Sequence, residues 1–236
     1  MNAAASGRSP ARSWLLALVA FAAFALPPQL LGAWAVQATG DEAGFVERVL
    51  LAQLTGCLAL LGLAGVAPPG PGFRLPAAAL LRTLGYYLCF LVLWAVFAFV
   101  LYPWVLEALD IRLPVQPHLR YFTRDDRPLT GFLPAVLTVC VFGPCAEEVL
   151  FRGYLTSALR TRLPPVPAGV LVAILFGWMH GKELALPIAL LGLLFAFLRE
   201  RFASLATCCA AHMLHNTLTV VLVSTFPKLL TWLQSR

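Results

Sequence analysis

Charged side chains are scarce in this sequence. Asp, Glu, Lys and Arg make up 12% of the 236 residues, whereas hydrophobic residues make up 60%. Soluble domains typically have about 25% charged and about 45–50% apolar residues, so a soluble enzyme of this size would expose too much apolar surface. Disordered, coiled-coil and collagen chains are excluded as well, because each needs low hydrophobicity or a strong compositional bias. The composition therefore predicts an integral membrane protein.

Three patterns that would indicate other kinds of site are also absent. The six cysteines form no CxxC pair, so a thiolate metal site has no support. No HExxH helix of the zinc proteases occurs. No run of Lys and Arg with interleaved aromatic residues indicates a nucleic-acid partner, and the net charge of +6 is better explained by basic loops that set membrane topology.

Charge-free runs mark the candidate membrane helices, because about 20 apolar residues span a hydrocarbon core as a helix. Lipid requires each segment to satisfy its own backbone polar groups, and Leu-, Ala- and Val-rich runs of this length fit helices rather than barrel strands. We therefore predict an all-α, polytopic membrane helix bundle of about seven to eight transmembrane helices. An eighth, short helix is expected within 107–130 or 226–236. The seven that the charge pattern defines lie near 14–36, 47–67, 84–106, 131–158, 165–181, 184–198 and 204–225.

Charged residues interrupt the fourth predicted helix at Glu147, Glu148 and Arg152. Such a residue costs about 2.5–3.5 kcal/mol on insertion scales, so it usually faces a polar interior and serves a function. Glu148 and Arg152 are four residues apart with the acid first, the favourable order for an ion pair within a helix. Because adjacent helix positions diverge by about 100°, Glu147 points elsewhere and is a candidate proton acceptor. The alternative is that these charges form a solvated helix end.

Two further polar motifs lie on later helices. Phe176 and His180 are one turn apart, so the phenyl ring can pack beside the imidazole and orient it. His212 and Asn216 share a face of the last helix, and both can donate hydrogen bonds to a developing oxyanion. Helix spacing does not choose between His212 and His215. The alternatives are an interfacial histidine at 180 and a purely structural hydrogen-bonding role for the last motif.

Together the three motifs predict an active site inside the bundle, where helical folds build such sites. They supply a carboxylate base, an ion pair, imidazoles and a carboxamide donor. These groups suit the activation of water and its attack on a carbonyl, which is amide hydrolysis inside the membrane. We expect no cofactor, with zinc held by histidines and glutamates as the alternative. The rival function is that of a non-enzymatic membrane binding or immunity protein, or of a transporter with polar residues along its path.

The three motifs resemble those of the CPBP family of intramembrane proteases, which includes CAAX prenyl endopeptidases and bacteriocin-processing or self-immunity proteins. The family pattern is EExxxR, then FxxxH, then HxxxN on successive membrane helices. It is matched in order by Glu147-Glu148 with Arg152, Phe176 with His180, and His212 with Asn216. Myxosortase-type members of this family are similar in the role expected for this chain.

The resemblance implies a glutamate-type mechanism and a role for each matched residue. Glu147 would be the general base that activates water, assisted by His180. The pair Glu148 and Arg152 would hold the helix of the base in place. The oxyanion site would be formed by His212 and Asn216.

The sequence also predicts how the chain is organised and where it acts. We expect one integral membrane domain over 1–236, with the catalytic half at about 131–225 and the helices in 14–106 as a supporting bundle. The expected partners are the lipid bilayer and a membrane-tethered protein or peptide substrate, such as a C-terminal sorting helix, and no nucleic acid. The Ala-, Leu- and Arg-rich, Lys-poor composition suggests a GC-rich bacterial genome, and hence a multi-pass protein of the bacterial inner membrane.

Overall fold

A computed structural model of the chain describes residues 9–38, 42–70, 72–75, 77–112, 117–123 and 129–228. Every regular element in these residues is helical, which confirms the predicted fold class. All seven predicted helices are present, and the short helix expected within 107–130 is α4. The other range predicted for a short helix is 226–236, and residues 229–236 of it lie outside the described residues. The helices are α1 (Pro10–Ala38), α2 (Glu42–Val66), α3 (Ala77–Ala108), α4 (Pro117–Phe122), α5 (Thr130–Leu159), α6 (Pro165–Trp178), α7 (Ala185–Phe202) and α8 (Leu205–Thr225).

Five of these helices are long and apolar enough to cross a membrane: α1, α2, α3, α5 and α8. The other two predicted spans differ in length or charge. Helix α6 has 14 residues, or roughly 21 Å at 1.5 Å per residue, which is shorter than a hydrocarbon core of about 30 Å. Helix α7 has 18 residues but ends in Arg199, Glu200 and Arg201. The bundle is therefore a multi-pass membrane fold in which α6 and α7 depend on their neighbours for burial.

Helices α6 and α7 form a closely packed antiparallel hairpin because small residues face each other along it. A Cβ atom at Gly177 would overlap the Ala185 carbonyl oxygen, and one at Gly192 would lie 3.0 Å from the Ala173 Cα. Small residues at such contacts let helix backbones approach in a membrane. The hairpin places the end of α6, and therefore His180, beside the bundle interior.

Helix α5 changes its winding on both sides of the acidic motif. Its α-helical turn Gly143–Glu148 lies between the π-helical segments Thr138–Phe142 and Val149–Leu155. In the first of these, the Gly143 N–H donates to the Thr138 carbonyl five residues back, and a Cβ at Gly143 would lie 2.7 Å from that oxygen. Single π-helical turns inside α-helices are frequent at functional sites.

The buried core joins helices from both halves of the chain. Ala20 of α1, Leu60 of α2 and Tyr87 of α3 belong to the same apolar cluster as Leu150 of α5 and Phe195 of α7. At one end of the bundle, the Tyr154 hydroxyl donates to the Ala67 carbonyl at 2.7 Å. The N-terminal helices therefore pack directly on the helices that carry the three motifs.

Candidate active site

The predicted ion pair of α5 is present and wholly buried. Arg152 Nη1 lies 3.0 Å from Glu148 Oε1, and both side chains are 0% exposed. The other terminal nitrogen, Nη2, donates to the Gly192 carbonyl at 3.1 Å. The guanidinium lies 4.4 Å from the centroid of the Phe176 ring and 5.2 Å from that of Phe195. Two aromatic faces and two acceptors therefore hold the charge of Arg152 in the interior, and the intrahelical pairing is confirmed.

His212 connects the two adjacent glutamates. Its Nδ1 lies 2.9 Å from Glu148 Oε1, and its Nε2 lies 3.8 Å from Glu147 Oε2. Because an ionised carboxylate can only accept a hydrogen bond, the Nδ1 atom carries the proton in this contact. The imidazole also stacks on Phe195, with ring centroids 4.7 Å apart. Glu148 thus fixes the orientation of the ring, and Nε2 is the atom turned towards Glu147.

His180 follows the last turn of α6 and is oriented by Phe176. The rings lie 4.8 Å apart in an edge-to-face arrangement, which confirms the predicted packing. His180 Nδ1 lies 2.7 Å from the Phe176 carbonyl oxygen, and a carbonyl accepts, so Nδ1 carries the proton. In the neutral ring, Nε2 is then left as a hydrogen-bond acceptor, which suits it to accept a hydrogen bond from water.

Asn216 is held by a contact from α8 to α5. Its Nδ2 donates to the Val139 carbonyl at 2.9 Å. Because a carboxamide has two N–H donors, one of them is not used by this bond. Val139 belongs to the first π-helical segment of α5, so the unusual winding there helps to position Asn216.

A cavity of about 380 Å³ brings these side chains together. Four of the six predicted site residues line it: Glu147, His180, His212 and Asn216. The side chain of Glu147 is 16% exposed, whereas Glu148 and Arg152 lie behind the wall. The two glutamates therefore point in different directions, as the helix spacing predicts. One carboxylate is accessible from the cavity, and the other is sealed against an arginine.

Comparison with known proteins finds similarity in the part of the chain that carries the three motifs. Residues 129–218 match the family model described as Type II CAAX prenyl endopeptidase Rce1-like. This stretch is therefore similar to a CAAX prenyl endopeptidase family, the kind of family that the three motifs resemble. The chain is also 32% identical to YdiL of Bacillus subtilis, by its name a candidate membrane peptidase, over 89 residues. Those residues are 37% of this chain and 36% of that protein. No solved structure matches the chain significantly.

The matched stretch 129–218 contains all the predicted site residues, yet other parts of the chain also reach the cavity. Gln53 of α2 lines it, as do Phe24 of α1 and Leu119 of α4. These three residues lie outside the matched stretch 129–218. The sequence reasoning missed Gln53, although it is the only carboxamide in the charge-free run 49–73. That uniqueness is the signal that could have found it.

His215 lies in a different environment of the cavity wall from His212. Helix spacing alone did not choose between these two histidines. Its Nδ1 lies 3.2 Å from the Tyr87 hydroxyl of α3, and its ring packs edge-to-face on Trp94 at 4.9 Å. Of the two histidines, His212 is the one in contact with the acidic pair. The structure therefore separates two residues that the sequence pattern did not.

A zinc site would need several metal-binding side chains close together. In the part of the chain that the structure describes, no group of three or more His, Cys, Asp or Glu side chains lies close enough to hold a metal ion. His180 and His212 both direct Nδ1 to protein oxygens, which leaves Nε2 as the other nitrogen of each ring. The absence of a zinc cofactor stays a prediction, which a chelator experiment tests.

Proposed function

We propose that this chain is an intramembrane endopeptidase that hydrolyses a peptide bond of a membrane-associated protein or peptide. The observation that carries the proposal is the accessible carboxylate of Glu147 in a cavity shared with His180, His212 and Asn216. A carboxylate within a membrane span is energetically costly, so its presence usually marks a functional site. The match of residues 129–218 to a CAAX prenyl endopeptidase family supports the same activity.

In the proposed reaction, Glu147 is the general base. It takes a proton from water while the water oxygen bonds to the carbonyl carbon and the carbonyl electron pair moves onto its oxygen. His180 accepts a hydrogen bond from the same water through Nε2 and orients it. When the tetrahedral intermediate collapses, the C–N bond breaks and the amine nitrogen takes the proton from Glu147. One water is consumed, and a carboxyl group and an amino group are formed.

His212 and Asn216 are the proposed donors to the oxyanion. Asn216 has an N–H that its bond to Val139 leaves unused. Because His212 directs the Nδ1 proton to Glu148, its Nε2 can donate only when the ring is protonated. Glu148 is then the counter-ion of that imidazolium. Preorganised donors of this kind stabilise the transition state by about 2.7–4 kcal/mol each.

Glu148 and Arg152 are proposed as positioning residues rather than as groups that touch the substrate. Both are fully buried behind the cavity wall. Glu148 Oε1 accepts from Arg152 and contacts His212, so the ion pair fixes the ring that faces Glu147. Groups held in this way need no reorganisation as the reaction proceeds.

The proposed substrates are membrane-tethered, and two chemical classes can be tested. The name of the matching family, CAAX prenyl endopeptidase, suggests a peptide with a prenylated C-terminal cysteine motif. A C-terminal membrane helix of a surface protein is the other class. The helical bundle supports a multi-pass integral membrane protein, and we propose the bacterial inner membrane as its place.

The proposal is tested with purified protein in lipid nanodiscs. The probes are a farnesylated peptide with a C-terminal CAAX sequence and a library of single-span reporters with varied C-terminal helices. We expect the wild-type protein to cleave members of one probe set and the Glu147→Gln variant to cleave none. Glu107→Gln, at an exposed glutamate of α3, is the matched control and should cleave like the wild type. A wild-type protein that binds a probe without cleaving it would favour the non-enzymatic alternative.

A further inference from the structure

The N-terminal helices contribute one strongly polar side chain to the cavity, and it is Gln53. This residue lies within the apolar segment Val46–Val66, one of the candidate membrane spans. Helix α2 packs against Gly143–Glu148, the turn of α5 that carries the glutamates. Polar side chains inside membrane helices usually face a polar interior and mark a functional site. The catalytic scheme above leaves Gln53 without a role.

Other polar side chains line the cavity without a role in the proposed reaction, and these already have hydrogen-bond partners. The Thr138 hydroxyl donates to the Pro134 carbonyl at 2.8 Å, and the Thr219 hydroxyl donates to the His215 carbonyl at 3.0 Å. His215 itself contacts the Tyr87 hydroxyl. Within the described residues, the Gln53 carboxamide has no hydrogen-bond partner. Its two donors and its acceptor are therefore available to a ligand.

A carboxamide is chemically matched to the backbone of a bound peptide. It offers N–H donors and a carbonyl acceptor, the same pair of groups that a peptide unit presents. A substrate segment must leave its helical conformation at the scissile bond, so its backbone groups lose their internal partners. Inside a membrane each unsatisfied group costs several kcal/mol, so a partner supplied by the cavity wall favours binding.

We propose that Gln53 is a substrate-binding residue that hydrogen bonds the backbone of the peptide presented to Glu147. This inference rests on the proposed proteolytic function and adds to it a recognition element from outside the matched stretch 129–218. The ligand class is an unwound polypeptide segment, recognised through its main chain rather than through a particular side chain. The binding part of the cavity thus includes an N-terminal helix.

The first test compares Gln53→Met with Leu58→Met. Methionine keeps the length of the side chain and removes the amide, and Leu58 is an exposed residue of the same helix, at 49%. We expect Gln53→Met to raise KM about 2- to 12-fold, the usual effect of one neutral hydrogen bond, with kcat within about twofold. The melting temperature should stay equal or rise, because the amide has no partner to lose. A lower melting temperature, or an unchanged KM, would overturn the proposal.

The second test does not require turnover. A small diazirine-bearing amino acid is placed at residue 53 or at residue 58 in Glu147→Gln protein, and the two probe sets described above are added in nanodiscs. Cross-linking from residue 53 and not from 58 supports the proposal, even if the wild-type protein cleaves neither probe. Cleavage by the wild-type protein without cross-linking from residue 53 refutes the role of Gln53 and leaves the protease function standing. Absence of both cleavage and cross-linking contradicts both proposals.

Discussion

Removal of Arg152 would expose how strongly the candidate site depends on one buried charge. In the Arg152→Met variant, Glu148 loses its cationic partner while remaining 0% exposed. Glu148 Oε2 already lacks a hydrogen-bond partner among the described residues, so the carboxylate would keep only the contact from His212. Breaking a buried pair by removal of one partner typically costs about 3–5 kcal/mol. We expect a loss of stability of that size.

The assay is the free energy of unfolding in mixed detergent micelles. Arg82→Met is the matched control, because Arg82 is an exposed residue of α3 and such substitutions usually change stability by less than about 0.5 kcal/mol. The double variant Arg152→Met/Glu148→Gln should recover much of the loss, since neutral replacement of both partners of a buried pair is often tolerated. Equal stabilities of Arg152→Met and Arg82→Met would refute the reasoning that the pair holds the site together.

Three further outcomes are expected. Asn216→Ala should lower kcat about 10²–10³-fold, because one oxyanion donor is lost. The rate is measured as turnover of a probe that the wild-type protein cleaves, and an unchanged kcat would exclude Asn216 from the mechanism. Gly177→Ala should destabilise the protein by about 1–3 kcal/mol, because its Cβ would overlap the backbone of α7. The control Gly62→Ala should not destabilise it, because a Cβ at Gly62 meets nothing within 4 Å. Equal melting temperatures of the two variants would contradict this packing. Treatment with a chelator should leave turnover intact, and activity that is lost and then restored by Zn²⁺ would support the zinc alternative.

The sequence predicts the helices well because lipid restricts what can span it. Long charge-free runs in a membrane protein have few structural options, and each predicted run contains a helix. The π-helical segments of α5 were not foreseen, because a charge-free run predicts a helix but not its local winding. The sequence predicts helices at α6 and α7 and a short span at 184–198, but only tertiary packing shows that the burial of both helices comes from their neighbours.

The candidate site was predictable wherever helix geometry alone sets the contact. The Glu148–Arg152 pair and the contact between Phe176 and His180 follow from four-residue spacing. The choice between His212 and His215 does not, because it depends on which helix each ring meets. Gln53 stands out in the sequence as the only carboxamide of its charge-free run, but only tertiary packing shows that α2 brings it to the cavity.

The assignment of catalytic and supporting roles to the two halves of the chain stays a prediction. We expect residues 1–236 to form one membrane domain with its chemistry in 131–225. Phe24, Gln53 and Leu119 in the cavity wall suggest that the earlier helices shape the site as well as support it.

The central claim is that Glu147 activates the attacking water. The most direct measurement is the single-turnover cleavage rate of Glu147→Gln protein in nanodiscs, beside that of Glu107→Gln, on a probe that the wild-type protein cleaves. The account predicts that Glu147→Gln binds the probe and shows no detectable cleavage, while Glu107→Gln cleaves at the wild-type rate. Cleavage by Glu147→Gln at a rate close to that of the control would contradict it.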